Sequence, residues 1–110
     1  MILAKFLSEI KMKYVMVSDF PDHWDKIKGT LTSYPPKMVK KAKLDKLKSG
    51  VETIFIKRFK DSTDVEKAWS GKVNDIQKIP GSIFFRVEIE KEIECPAEYT
   101  GYENGWYVEN

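Results

Sequence analysis

Residues 33–59, SYPPKMVKKAKLDKLKSGVETIFIKRF, carry the pattern on which the fold prediction depends. The stretch opens with an aromatic residue beside two prolines, continues through a lysine-rich run, and turns at Ser49-Gly50. It ends in residues 51–59, where both alternating faces are largely apolar as far as Lys57. Since a strand that is apolar on both faces is covered on both sides, this pattern predicts a central β-strand whose last residues reach a functional edge.

Length and charge set the limits of the fold and of its partners. The 110 residues, 42% of them apolar, predict one domain over residues 1–110 with a single core. The net charge is only +2, but residues 37–60 hold nine Lys and Arg against two acidic residues, and residues 88–110 hold seven Glu against one Lys. This asymmetry indicates either a face for an anionic partner or two solvated faces that offset each other.

The chain shows no pattern of a secreted or membrane protein. Cys95 is the only cysteine, which excludes an intramolecular disulfide and a zinc site built on several cysteines. No apolar run reaches the length of about 18 residues that spans a membrane, and no signal-peptide cleavage site follows the first ten residues. We therefore expect a cytoplasmic protein.

The segments before the central strand have mixed patterns. Residues 2–10 have helical apolar spacing, and residues 13–18 form a compact apolar run that predicts a buried strand. Residues 19–29 begin like a helix, with Phe20, Trp24 and Ile27 on one face. We expect an irregular loop over residues 30–36, and over residues 37–48 short helical turns whose last turn holds Leu44 and Leu47 inward.

The second half predicts strands. Gly71, inside a strand-like segment between residues 65 and 79, indicates a bulge or a close backbone approach. Pro80-Gly81 predicts a turn, and residues 82–94 alternate. The apolar side chains, expected inward, are Ile83, Phe85, Val87, Ile89 and Ile93; the charged ones, expected outward, are Arg86, Glu88, Glu90, Glu92 and Glu94. Residues 106–108 are a candidate closing strand or clamp, with Trp106 interpreted as a lid.

No pattern of a known catalytic or cofactor site occurs. The chain contains no phosphate-binding glycine loop, no dinucleotide fingerprint, no HExxH zinc motif and no nucleophile elbow. His23 has no evident partner residue, Cys95 fits a small apolar core residue, and the glutamates of residues 88–94 fit a solvated strand face. We therefore expect a protein that is not an enzyme and that needs no cofactor or metal.

The order of the segments resembles that of the PUA-like superfamily, and most closely its EVE members. KYVMVSDFPDHW (13–24) is similar to the opening strand and the tryptophan-bearing helix start of EVE domains, and LDKLKSGVETIFI (44–56) to their leucine, lysine-proline-glycine-aspartate, strand segment. AWSGKVNDI (68–76) and SIFFRVEIEKEI (82–93) resemble their GIxEV and YRVKI strands. Counting back from Gly50 without a gap, Tyr34-Pro35-Pro36 stands where EVE proteins have Trp-Gly-Val.

The resemblance implies a fold and a function. The fold is α+β, a small mixed β-barrel with short peripheral helices. EVE, YTH and related domains commonly hold one flipped or single-stranded base of DNA or RNA, often methylated, in an aromatic cage beside a basic groove. Some are recognition domains of McrB-type modification-dependent restriction proteins, which implies association with a larger motor or nuclease assembly. The alternative is a structural or protein-interaction module on the same barrel without base recognition.

The resemblance also implies site residues. The candidates for contact with the base are Tyr34, Trp69, Phe59, Arg58, Ser18 and Trp24; the candidates for phosphate contact are Lys37, Lys40, Lys41 and Lys43. Tyr34 is the first choice for a cage wall, with a loop aromatic packed on the barrel as the alternative. Trp69 fits cage or core equally, the helical spacing of Trp24 favours core, and Ser18 could hydrogen-bond a base edge or begin a helix.

Overall fold

The structure, a computed structural model, describes residues 12–19, 31–34, 39–40 and 47–109, which form a seven-stranded mixed sheet. In chain order the strands are β1 (Lys13–Ser18), β2 (Leu31–Tyr34), β3 (Val39–Lys40), β4 (Val51–Arg58), β5 (Val65–Ile79), β6 (Ser82–Ile93) and β7 (Gly105–Glu109). Across the sheet their order is β2-β6-β5-β4-β1-β7-β3. The pairs β1–β4 and β3–β7 are parallel, and the other pairs are antiparallel. Within these ranges the only helix is a single 3₁₀ turn, Ala97–Tyr99.

The strongest apolar segments form the predicted strands. β1 and β4 occupy the predicted positions, and β4 is central because it pairs with β1 on one side and β5 on the other. The turn at Pro80-Gly81 joins β5 to β6, and residues 106–108 lie in β7, a strand inside the sheet between β1 and β3. The prediction that these segments form strands is therefore confirmed. The interpretation of Trp106 as a lid is wrong, because Trp106 is fully buried within the sheet.

Two predictions for the first half are wrong. β2 replaces the irregular loop expected over residues 30–36, and β3 lies where helical turns were expected. In both cases pairing with a distant strand decides the structure: β2 pairs with β6, and β3 pairs with β7. Leu47 is buried in the core, as predicted for the end of that segment. The helix expected over residues 2–10 lies outside the described residues, and so does the one expected over residues 19–29, apart from Asp19.

The sheet is strongly curled around one apolar cluster. The rings of Phe85 in β6 and Trp106 in β7 have centroids 5.0 Å apart, although three strands separate β6 from β7. In a flat sheet four strand spacings would place these strands about 19 Å apart. The rings meet in the inner cluster, which contains Tyr14, Met16, Leu47, Phe55, Trp69, Val73, Ile83, Phe85, Val87 and Trp106. Among the described residues no ladder joins the edge strands β2 and β3, so the structure shows a curled mixed sheet.

A second cluster covers the opposite face of the sheet. This outer cluster contains Val15, Val17, Ile56, Ala68, Tyr99 and Tyr107, with Cys95 and Tyr102 packed against it. Residues 95–102 therefore lie over the outer face of β1 and β4. The two clusters together explain why these strands are apolar on both faces, and why Cys95 behaves as a partly buried apolar residue.

A bulge in β6 interrupts the alternation of inward and outward side chains that was predicted for this strand. Ile89 lies opposite Gly71 and Lys91 lies opposite Ser70, so Glu90 is inserted between the two pairs. As a result Val87 faces the inner cluster, whereas Ile93, expected on the same face, packs against the outer cluster. The prediction of a bulge or a close backbone approach at Gly71 is confirmed for both alternatives: the register shifts between Ser70 and Gly71, and a Cβ at Gly71 would lie 2.0 Å from the carbonyl oxygen of Glu88.

Candidate functional site

The carboxyl ends of β1 and β4 meet because the two strands are parallel. Ser18 lies opposite Lys57, which places Asp19 and Arg58, the next residues of each strand, side by side. The start of β7 arrives at the same end, since Gly105 lies opposite Val17. Three chain segments therefore converge here. We define the carboxyl-end site as Asp19, Arg58, Asp61 and Asn104, through which the segments touch, together with Phe59 of the loop after β4.

The Phe59 loop, residues 59–64, is held by its own hydrogen bonds. The amide of Phe59 donates to the carbonyl oxygen of Asp64 at 3.0 Å, and the amide of Ser62 donates to that of Phe59 at 3.1 Å. The Ser62 hydroxyl accepts from the amide of Asp64 at 2.9 Å. The Phe59 side chain is nevertheless 50% exposed. The loop thus presents an aromatic ring whose backbone is fixed before any ligand arrives.

Arg58 braces this loop against the segment that leads into β7. Its Nε donates to the carbonyl oxygen of Ser62 at 2.6 Å. One terminal nitrogen donates to the carbonyl oxygen of Tyr102 at 3.1 Å and to Oδ1 of Asn104 at 3.4 Å. These internal contacts occupy much of the guanidinium group, so Arg58 supports the loop that carries Phe59.

Asp19 makes the second connection between the same segments. One carboxylate oxygen accepts from Nδ2 of Asn104 at 2.9 Å, and the other accepts from the amide of Asp61 at 3.2 Å. Burial raises the pKa of the Asp19 carboxyl, but the hydrogen bonds from Asn104 and Asp61 and the charge of Arg58 outweigh it, so that the pKa lies below its ordinary value. The carboxylate is therefore ionised near neutral pH.

Charges of both signs surround Phe59. Lys57 forms an ion pair with Glu66, with 3.6 Å between Nζ and Oε2. Lys60 is exposed, and exposed Asp61 and Asp64 lie in the same loop, so the local balance is close to neutral. The loop itself therefore has no strong excess of positive charge.

The structure describes two lysines of the lysine run, residues 37–48. Lys40 lies in β3, where its backbone is opposite Tyr107. Lys48 is exposed just before the turn that leads into β4, and its carbonyl oxygen accepts from the hydroxyl of Tyr14 at 3.1 Å. Within the run, Lys40 is thus connected to β7 by strand pairing, and Lys48 is connected to β1 by a hydrogen bond.

The structure brings some of the predicted base-contact residues together and separates others. Ser18, Arg58 and Phe59 lie at the same end of the sheet, with Ser18 only 2% exposed. Trp69 lies in the inner cluster at 7% exposed. Tyr34 is the last residue of β2, where its backbone lies opposite Ile83. The remaining predicted residues, Trp24, Lys37, Lys41 and Lys43, lie outside the described residues, as does His23.

Sequence reasoning did not find Asp19 and Asn104 as members of the site. Asp19 has the pattern of an acidic helix start, and Asn104-Gly105 has the pattern of a turn. Their contact joins residues 85 positions apart. It follows only from the pairing of β1 with both β4 and β7, which no local pattern specifies.

A concavity lies on the outer face, beside the bulge. This cleft of about 220 Å³ is lined by Lys13, Glu52, Thr53, Ile54, Ser70, Gly71 and Glu90. The Nζ of Lys13 lies 5.6 Å from the centre of the Tyr99 ring, and Lys72 lies opposite both Glu52 and Glu88 in the neighbouring strands. Charges of opposite sign thus alternate around the cleft, as they do on a solvated sheet face.

The described residues contain no group of three His, Cys, Asp or Glu side chains that could hold a metal ion. Within the same ranges no helix is long and apolar enough to cross a membrane. Comparison of the chain with protein-family models, with curated proteins and with solved structures finds no match. The similarity to EVE domains therefore remains a prediction that depends on the four segments quoted above.

Proposed function

We propose that this chain is a nucleic-acid-binding domain that holds one flipped or single-stranded base against the ring of Phe59. The observation that carries the proposal is the half-exposed ring of Phe59 on a hydrogen-bonded loop. Stacking of a base on an aromatic side chain contributes about 1–3 kcal/mol per base. Because the loop is already fixed, little conformational entropy is lost when the base binds.

The lysine run supplies the phosphate contacts in this proposal. Residues 37–48 carry six Lys against one Asp, a balance of +5, whereas the Phe59 loop itself is close to neutral. Lys37, Lys40, Lys41 and Lys43 hold the backbone of the strand. Tyr34, the first choice for a cage wall, lies opposite Ile83 beside the turn between β5 and β6 and is not assigned to this contact. Ser18 and Trp69 are both buried and are not assigned to the contact, whereas a methyl group on the base would add apolar area to it.

The proposed architecture is a PUA-like barrel. The edge strands β2 and β3 are separated by only residues 35–38. Five Cα steps of 3.8 Å reach at most about 19 Å, whereas six strand spacings across a flat sheet amount to about 29 Å. Chain connectivity therefore favours an approach of the two edges that would complete the curl begun around the inner cluster. A role in a modification-dependent restriction system is part of the same proposal.

A binding panel tests the function. Single- and double-stranded DNA and RNA oligonucleotides, each with and without a methylated base, are titrated against the parent chain. We expect submillimolar binding to at least one single-stranded or methylated member. Each phosphate contact should lower log K by about 0.7–0.9 per log unit of salt. Replacing Lys40, Lys41 and Lys43 together by Ala should flatten this slope and weaken all sequences alike.

The alternative function is a protein-interaction module on the same sheet. The near-neutral surroundings of Phe59 and a second exposed apolar side chain, Ile79 at 48%, favour it. Absence of binding to every oligonucleotide at low salt, or binding that is insensitive to salt, would reject nucleic-acid recognition and leave this alternative.

A further inference from the structure

The carboxylate of Asp19 connects two segments that share no strand pairing. One oxygen accepts from Asn104, in the lead-in to β7, and the other accepts from the backbone of Asp61, in the Phe59 loop. Arg58 connects the same two segments from the neighbouring strand, through the carbonyl oxygens of Ser62 and Tyr102. A carboxylate from β1 and a guanidinium from β4 therefore form two parallel braces at the end of the sheet.

The backbone at Asp61 has a conformation that such a brace stabilises. Asp61 has a φ of 58°, in the left-handed region that residues with a side chain adopt uncommonly, although Asp does so more often than most. A conformation of this kind persists where the surrounding structure holds it, and among the described residues the side chain that accepts from the Asp61 amide is Asp19. Asp61 lies two residues after Phe59, inside the turn that is closed by the hydrogen bond from the Ser62 amide to the carbonyl oxygen of Phe59.

We infer that Asp19 is a positioning residue that fixes the Phe59 loop for stacking on a base. This inference rests on the proposed function. Asp19 itself does not touch the base: its two oxygens face Asn104 and Asp61, and it acts by keeping the loop in the one conformation that presents Phe59. Loss of the carboxylate releases the Asp61 amide, lets the left-handed turn relax, and leaves Phe59 to sample several positions.

Two readouts test the inference: amide hydrogen exchange of the loop by NMR, and affinity for the tightest-binding oligonucleotide of the panel. In Asp19→Ala we expect exchange of the Asp61 and Ser62 amides to accelerate at least about tenfold, the factor that one hydrogen bond to a charged group commonly represents. We expect affinity to fall about three- to tenfold, since Phe59 must then be ordered on binding. Asp19→Asn, which retains one acceptor oxygen, should lie between the parent and Asp19→Ala.

A double-mutant cycle with Phe59→Ala separates positioning from general stability. If Asp19 acts through Phe59, Asp19→Ala should cost no further affinity once the ring is absent. Asn104→Ala removes a partner of the carboxylate, together with the 3.4 Å contact from Arg58, and serves as the test variant if Asp19→Ala does not fold. In Asn104→Ala the Asp61 and Ser62 amides should exchange faster than in the parent but more slowly than in Asp19→Ala.

The possible failures are distinguishable. If Phe59→Ala binds as the parent does, the proposed function fails, while the exchange of Asp61 and Ser62 still tests the brace. If Phe59→Ala weakens binding but Asp19→Ala and Asn104→Ala leave both exchange and affinity at parent values, the function stands and the positioning role is overturned. Equal losses from Asp19→Ala with and without Phe59 would also overturn it.

Discussion

Two groups of aromatic rings in this protein are held in place by different means. In the inner cluster Trp106 makes edge-to-face contacts with Tyr14, at a centroid distance of 5.3 Å, and with Phe85, at 5.0 Å, and all three side chains are fully buried. Phe59 is half exposed, and backbone hydrogen bonds fix its loop. A ring held by packing has its area already covered and stabilises the fold, whereas a ring held through its backbone keeps its area available for a ligand.

The largest expected effect is on the buried side of this comparison. Trp106→Ala should lower the free energy of unfolding by about 3–5 kcal/mol, because it leaves a cavity in the inner cluster, where the curl brings Phe85 of β6 against Trp106 of β7. Phe59→Ala should change it by less than about 0.5 kcal/mol. Urea denaturation of both variants measures the difference. Similar losses of unfolding free energy in the two variants would show that Phe59 belongs to the core, and that the two groups of rings do not differ.

The next effect concerns the bulge. Gly71→Ala should destabilise the fold by about 1–3 kcal/mol, since the added Cβ meets the carbonyl oxygen of Glu88 at 2.0 Å and the pairing of β5 with β6 must shift. Ser70→Ala, one position earlier on the same strand, is the matched control and should be close to neutral. Thermal melting of the two variants compares them; a Gly71→Ala variant as stable as Ser70→Ala would contradict the close approach.

A smaller effect is expected at acid pH. The pKa of Asp19 is lower in the folded chain than in the unfolded one, so its ionised form stabilises the fold at neutral pH. That contribution is complete above the ordinary Asp value of about 3.9 and is lost as the pH falls through the lower folded value. Stability measured from pH 6 to pH 2 should therefore fall more in the parent than in Asp19→Asn. Parallel curves would contradict the role assigned to this carboxylate.

The sequence predicted the parts of the fold whose signal is local. The apolar runs of β1 and β4 and the glycine of the bulge each carry their own evidence, and all three appear where expected. β2 and β3 could not be predicted, because four and two residues are too few to show a period and their pairing partners lie far along the chain. The sequence did not predict that the inward and outward side chains of β6 exchange faces beyond Glu90, because the exchange is caused by one inserted residue.

The candidate site was predictable only in part, for the same reason. Arg58 and Phe59 were found because they end a strand that is visible in the sequence. Asp19 and Asn104 were not, because their contact depends on three strands meeting at one end of the sheet. The exposure of these aromatic residues could not be predicted from the sequence either. Trp69 and Phe59 both lie in or beside strands with aromatic neighbours, yet Trp69 is buried and Phe59 is exposed.

The most direct test of the account compares Phe59→Ala with Ile79→Ala. The two side chains are large, apolar and similarly exposed, at 50% and 48%, but Ile79 lies beside the turn between β5 and β6, away from the carboxyl-end site. The dissociation constant of each variant is measured for the tightest-binding oligonucleotide. We predict that Phe59→Ala loses about 1–3 kcal/mol of binding free energy while Ile79→Ala binds as the parent does. Equal affinity of Phe59→Ala and the parent, or equal losses in both variants, would contradict the claim that Phe59 stacks on the bound base.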